Sequence, residues 1–155
     1  MIRLAVRAAK MHDVFEIGLR SYVPLAEVVF LLSQFFGIDA RCIVSEDAYW
    51  SEAWEGKARV GVTVSTSSAG LRTNMSGCSY FSIDDMMLTR LAKEAARKFN
   101  SEAVIGDYRK SGIEARGRFL SYFPDGSVWE SVDASHGLID DVKVLYLIEE
   151  HGRPL

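Results

Sequence analysis

Residues 82–133 decide the fold that this sequence predicts; they contain the runs SIDDMMLTRLAKEAARKFN (82–100), AVIG (103–106) and RFLSYFPDGSVWESVD (118–133). In the first run, apolar residues recur every three or four positions, which predicts a helix with one buried face. That face comprises Leu88, Leu91, Ala92, Ala95 and Phe99. We expect the Ser82 hydroxyl to cap the first turn of this helix, and Asn100 to end it.

The rest of this stretch predicts a strand and a β-hairpin. Residues 103–105 are apolar and short enough for a buried strand. Residues 118–123 and 128–132 alternate in the two-residue period of strands. The linker Pro124-Asp125-Gly126-Ser127 supplies one residue with a fixed φ and one that is free to adopt positive φ, so it predicts the turn of the hairpin.

The remaining elements follow from weaker patterns. Two-residue alternation predicts strands at 15–19, 39–45, 60–64 and 142–148, with a weaker strand at 2–8. A helix at 140–150 is the alternative for the last of these. Pro24 and Gly37 bracket a broad apolar run, which predicts a helix over 24–36 that lies mostly inside the core. Residues 74–77 are turn formers and predict a loop.

These elements predict an α+β fold with a mainly antiparallel sheet and two main helices packed on one face. Residues 1–155 fit a single domain. The two cysteines, Cys42 and Cys78, predict reduced thiols and a cytoplasmic location. A net charge of −3 argues against nucleic acid as a partner. No apolar run has the ~20 residues of a membrane span, so no membrane partner is expected.

The segment 46–55 is the best candidate for a working surface because it combines four acids with three aromatic residues and has no base. Aromatic anchors surrounded by acids are typical of a contact with a basic protein partner. The candidate partner-binding residues are Glu46, Asp47, Tyr49, Trp50, Glu52, Trp54 and Glu55. The alternative is a short amphipathic helix whose Trp50 and Trp54 cap the core, with the acids solvated.

No catalytic or metal-binding motif is predicted, and no cofactor is implied. The three histidines, His12, His136 and His151, have neither the spacing nor the neighbouring cysteines of a zinc site. Asp140-Asp141 supplies too few oxygen ligands for a hard cation. The basic residues at 109–110 and at 116 and 118 are offset by nearby acids, which is typical of a solvated face.

The runs LAKEAARKF (91–99), AVIGD (103–107) and FLSYFPDGS (119–127) resemble a pattern in small bacterial immunity proteins, including the immunity partners of contact-dependent growth-inhibition toxins. In those proteins a helix and a short strand precede a hairpin with an Asp-Gly turn. The resemblance implies a non-enzymatic, cytoplasmic protein that binds and neutralises a cognate toxin domain, such as a nuclease. It carries over no functional residues.

Two other functions stay open at this point. A small enzyme or ligand-binding domain would have a pocket between sheet and helices, with a histidine beside a carboxylate. A contact between subunits could use exposed sheet edges or the same aromatic residues. The sequence leaves the oligomeric state undetermined.

Overall fold

A computed structural model describes residues 12–52, 58–68, 70–133 and 142–148, and these contain three α-helices and eight β-strands. The helices are α1 (Leu25–Phe36), α2 (Glu46–Glu52) and α3 (Asp85–Phe99). The strands are β1 (Asp13–Leu19), β2 (Ile43–Ser45), β3 (Val60–Thr66), β4 (Thr73–Ser79), β5 (Ala103–Gly106), β6 (Arg118–Tyr122), β7 (Val128–Asp133) and β8 (Val142–Ile148). The predicted strand at 2–8 lies outside the described residues.

The chain divides into two compact units. The first contains Pro24–Val64, Met75–Asp84 and the described residues up to Glu16, and the second contains Ile17–Val23, Ser65–Asn74 and the described residues from Asp85 onward. Strand order is β2-β3-β4-β1 in the first unit and β1-β5-β6-β7-β8 in the second, with β1, β3 and β4 each divided between them. The single-domain interpretation stays a prediction.

The sheet is mainly antiparallel, which confirms the α+β class. The successive pairs from β1 through β5, β6 and β7 to β8 are antiparallel, whereas β2 and β3 are parallel. Residues 142–148 form the strand that the β-branched pattern favours, not the alternative helix. No helix in the described part of the chain has the length and apolar run that crossing a bilayer requires.

The predicted hairpin is confirmed. Strands β6 and β7 pair with Leu120 opposite Glu130. The Phe123 amide donates to the Ser127 carbonyl across 2.9 Å, and Gly126 takes a φ of 90°. The Asp125 carboxylate accepts from the Ser127 amide at 2.9 Å. Each turn residue therefore has the role that its type predicts.

Helix α3 ends as predicted but begins two residues later than the predicted Ser82 cap implies. Asn100 has a left-handed φ of 48°, which ends the helix. At the other end, the Ile83 amide donates to the Asp13 carboxylate of β1 at 2.6 Å, and the helix starts at Asp85. The prediction of Ser82 as the cap is wrong, because a helix that starts at Asp85 has its cap position at Asp84. The bond from Ile83 instead ties the residues before the helix to β1.

Helix α1 confirms the predicted boundaries but not the predicted burial. Gly37 adopts a φ of 65° at its end, and its amide donates to the Ser33 carbonyl. The buried side chains are Val28, Leu31 and Leu32. Leu25 and Phe30 are half-exposed, so the prediction of a helix mostly inside the core is wrong. Apolar residues occupy more of its circumference than the core covers.

The predicted strand at 39–45 is also too long. Residues Ala40–Cys42 form a 3₁₀ turn, because the Asp39 carboxylate accepts from the Arg41 amide at 2.9 Å and caps that turn. The strand begins only at Ile43, which is buried. An aspartate that bonds a nearby amide thus competes with the extended conformation.

The loop predicted at 74–77 is wrong, since these residues lie within β4. Gly77 is required there by close packing rather than by a turn. A Cβ at Gly77 would lie 2.4 Å from the Gly61 carbonyl oxygen and 2.6 Å from Cζ of Phe15. The glycine therefore makes room for a neighbouring strand and an aromatic ring.

We predict that Gly77→Ala lowers the free energy of unfolding by about 1–3 kcal/mol, because the new methyl group overlaps backbone and ring atoms. Gly106→Ala is the matched control, since Gly106 also lies in a strand and has no atom within 4 Å of an added Cβ. We expect that change to alter stability by less than about 1 kcal/mol. Urea unfolding of both variants measures the difference; equal stabilities would contradict the packing assignment.

Candidate functional site

Helix α2 rests on the sheet of the first unit through Tyr49. The Tyr49 side chain is fully buried. It lies over Gly61 of β3, where an added Cβ would come within 2.6 Å of Tyr49 Cβ and 3.2 Å of Cys78 Sγ. Ala58 and Cys78 complete this buried cluster. Helix α2 can therefore pack on β3 because residue 61 has no side chain.

A second set of aromatic contacts holds the exposed side of α2. His12 Nδ1 and the Tyr49 hydroxyl share a hydrogen bond. The His12 ring also contacts Trp50, with ring centroids 4.7 Å apart, and meets Tyr80 edge-on at 5.4 Å. Trp50 in turn meets Tyr49 edge-on at 5.2 Å. The indole is thus supported on two sides while part of it remains open to solvent.

The acids of α2 are placed by the helix itself. The Ser45 hydroxyl accepts from the Ala48 amide at 3.2 Å, which caps the first turn. Glu46 and Asp47 lie in that turn, where negative charge is favoured by the helix dipole. The Ser76 hydroxyl of β4 donates to the Glu46 carboxylate at 3.3 Å. Asp47 is exposed.

Strand β1 contributes two more residues to this side of the first unit. The Phe15 ring fills the space beside Gly77, so Phe15 faces away from Ser76 and from α2. Side chains alternate along a strand, so Val14 and Glu16 lie on the same face as Ser76 and Glu46. Val14 is 77% exposed, and Glu16 is also exposed. We call Val14, Glu16, Glu46, Asp47 and Trp50 the α2 surface.

The structure divides the predicted partner-binding residues into three groups. Glu46, Asp47 and Trp50 lie on the α2 surface, and Trp50 is 49% exposed. Tyr49 lies beneath the surface and supports it. Glu52 is the last residue of α2, and Trp54 and Glu55 lie outside the described residues. The short helix that the alternative interpretation predicts is present as α2. Trp50 does not simply cap the core, however, because about half of its side chain is exposed.

Val14 and Glu16 were not among the predicted site residues. The available signal was the alternation in β1, which places them opposite Phe15, Ile17 and Leu19. Val14 is an apolar residue on the side of β1 that the alternation assigns to solvent. This mismatch is the signal from which Val14 could have been predicted as a surface contact residue.

The α2 surface is electrostatically negative. Within the described residues, none of Glu16, Glu46 and Asp47 forms an ion pair. Three carboxylates that share one face create a field that attracts cationic groups. The charge is available to a partner because no side chain in this part of the chain neutralises it.

Burial disfavours the charged forms of two groups near this surface, the Cys78 thiol and the His12 imidazole. Burial raises the pKa of Cys78 to about 11, and the Glu46 charge adds to the effect, so the thiol is protonated at neutral pH. Desolvation lowers the pKa of His12 below its ordinary value of 6.5. His12 is bonded to a tyrosine hydroxyl and packed among rings, which is not the histidine–carboxylate pair that the enzyme alternative predicts.

A second charged cluster lies in the second unit. Arg109 makes two bonds to the Asp107 carboxylate, at 2.8 and 2.9 Å, and a further ion pair with Glu130. Burial alone would raise the pKa of Asp107, but the hydrogen bonds and charge of Arg109 outweigh it and lower that pKa. Arg109 is therefore a structural cross-link between β7 and the residues that follow β5.

No group of three His, Cys, Asp or Glu side chains that could hold a metal ion occurs among the residues that the structure describes. His136, His151 and the Asp140-Asp141 pair lie outside those residues. Cys42 and Cys78 are both free thiols.

No protein-family model, curated protein or solved structure matches this chain. The α2 surface is therefore the feature from which a function is proposed.

We predict that acid weakens the fold through His12. Its folded pKa lies below the unfolded value of 6.5, so its contribution to stability is complete above pH 6.5 and is lost as the pH falls through the folded pKa. His12→Gln removes this titration, so the fall in unfolding free energy between about pH 8 and pH 5 should be smaller in the variant.

Urea unfolding of parent and variant at both pH values measures that fall, and an NMR titration of the His12 ring measures its pKa directly. A pKa at or above 6.5, or the same pH dependence in the His12→Gln variant, would show that burial of the neutral imidazole is not the cause.

Proposed function

We propose that this chain is an immunity-type protein of the cytoplasm, which binds a cognate toxin domain through the α2 surface and thereby neutralises it. The observation that carries the proposal is Trp50. It is a half-exposed indole on a helix that is fixed from below by Tyr49 and from the side by His12. Glu46 and Asp47 lie in the same helix and form no ion pair within the described part of the chain.

The support for a protein partner comes from the energetics of such an anchor. Tryptophan is over-represented among the residues that dominate protein–protein binding, because one side chain buries a large apolar area. A side chain that is already held in place loses little conformational freedom on binding. The contacts of Trp50 with the rings of His12 and Tyr49 provide that preorganisation.

The support for a basic partner comes from charge. Glu16, Glu46 and Asp47 favour a partner with arginine or lysine at the contact. A nuclease toxin has a positive surface where it binds the phosphate backbone. An acidic protein that occupies this surface would exclude the nucleic acid, so inhibition needs no chemistry in the inhibitor. The resemblance of the runs 91–99, 103–107 and 119–127 to immunity proteins supports the same function.

The proposal is tested first with the neighbouring gene. We expect the gene beside this one to encode a protein with a toxic C-terminal domain, and co-expression of this chain to restore growth to cells that express that domain. Absence of protection against the neighbour's product would contradict the proposal.

We predict that Trp50→Ala weakens binding of that toxin domain by about 30-fold or more, the loss expected for a hot-spot residue. Tyr22→Ala is the matched control, because Tyr22 is an exposed aromatic residue outside the α2 surface. We expect its affinity to equal that of the parent. Isothermal titration calorimetry measures the affinities, and circular dichroism confirms that each variant is folded.

The charge contribution is measured with Asp47→Lys. Because Asp47 is exposed and forms no ion pair among the described residues, this change should slow association and reduce its dependence on salt. Full affinity in both the Trp50→Ala and Asp47→Lys variants would remove the α2 surface from the interface.

A further inference from the structure

The loop between β5 and β6, in the second unit, exposes a large apolar side chain at its tip. Residues Gly112–Ala115 form a 3₁₀ turn. Ile113 on this turn is 83% exposed, the highest value for a large hydrophobic side chain among the described residues. An isoleucine in that position is a contact group without a partner in the described chain.

The loop is held in one conformation from both ends. At its start, Arg109 binds Asp107 and Glu130, and the Lys110 amide donates to the Asp107 carbonyl at 3.1 Å. At its end, the Arg116 amide donates to the Ile113 carbonyl at 3.2 Å. The tip is therefore preformed and would lose little freedom on binding.

The surroundings of Ile113 are basic. Lys110, Arg116 and Arg118 are exposed, and within the described residues none of them forms an ion pair. Arg109 does not add to this charge because Asp107 and Glu130 neutralise it. Glu114 is the one acid on the turn. We call Lys110, Ile113, Arg116 and Arg118 the loop surface.

We propose that the loop surface of one copy of this chain binds the α2 surface of a second copy. The two surfaces are complementary in their apolar groups and in their charge. Ile113 is an apolar projection, and Val14 and Trp50 are the exposed apolar groups of the α2 surface. In this contact, three cations of one surface would face three carboxylates of the other.

Such a contact uses a different surface on each of the two chains. Every dimer therefore keeps one unoccupied loop surface and one unoccupied α2 surface. Head-to-tail contacts of this kind continue into rings or open chains of subunits. The association should be weak and sensitive to salt, because few side chains take part and their charges are exposed. It does not depend on the proposed function, since no toxin takes part.

The test uses the purified chain alone, in sedimentation velocity over a range of concentrations up to about 1 mM, which detects even weak contacts. We expect the mean mass to rise with concentration at about 50 mM salt and to return to the monomer at about 500 mM. A monomer at every concentration in low salt overturns the proposal.

Two double variants assign the surfaces. Lys110→Glu with Arg116→Glu reverses the loop surface, and Glu16→Lys with Asp47→Lys reverses the α2 surface. We expect each variant alone to be monomeric. We expect the equimolar mixture to associate again, because the unchanged α2 surface of the loop variant can bind the unchanged loop surface of the α2 variant in a mixed dimer. Pairing of the two reversed surfaces as well would extend this mixed dimer into longer assemblies. Continued self-association of either variant alone overturns the proposal.

Arg59→Glu with Arg72→Glu is the charge-matched control for the loop variant, because both arginines are exposed and lie outside the two surfaces. This control should associate as the parent does. Ile113→Ser, which keeps every charge, should weaken association by about tenfold through the lost apolar contact. Unchanged association in Ile113→Ser also overturns the proposal, as does binding of a labelled single-stranded oligonucleotide by the loop surface without self-association.

Discussion

The contact between Tyr49 and Gly61 is the constraint on which the α2 surface depends. A side chain at residue 61 would overlap the Tyr49 ring, so the helix can lie on the sheet only because β3 has a glycine there. With Tyr49 buried, the next residue is directed outward, and Trp50 is left half-exposed with His12 beside it. The same packing of α2 on the sheet brings the Glu46 carboxylate within hydrogen-bond distance of the Ser76 hydroxyl. The position of the indole and the acids is thus a consequence of one missing side chain in a neighbouring strand.

The elements that could be predicted from the sequence are those whose cause is local. The hairpin turn is determined by Asp125 and Gly126, and the end of α3 by Asn100, because each acts on its own backbone or on a residue two positions away. The wrong predictions concern positions whose local structure depends on a residue distant in the sequence. Ser82 does not cap α3, because the helix begins only at Asp85, and the residues before it are bonded to the Asp13 carboxylate of β1 through the Ile83 amide. Residues 74–77 contain turn formers but belong to β4, where the packing of a neighbouring strand decides what fits.

The site was predicted in part for the same reason. The composition of residues 46–55 indicated a surface with acids and aromatic rings, and Glu46, Asp47 and Trp50 are found there. Which aromatic residue is buried could not be predicted, because it depends on a glycine more than ten residues later in the chain. Val14 joins the surface through strand order, which no local pattern contains. Within residues 82–133, the well-patterned helix α3 and the β6–β7 hairpin supply scaffold. The α2 surface, which is proposed to bind the toxin, is built from segments far apart in the sequence.

The most direct measurement is hydrogen–deuterium exchange of the chain with and without the toxin domain encoded beside it. If the α2 surface is the interface, the backbone amides of α2 and the first half of β1 should exchange more slowly in the complex. The amides of the β6–β7 hairpin, which belong to the second unit, should then exchange at the same rate in both states. Slower exchange confined to the hairpin or to the loop surface, with α2 unchanged, would contradict the account.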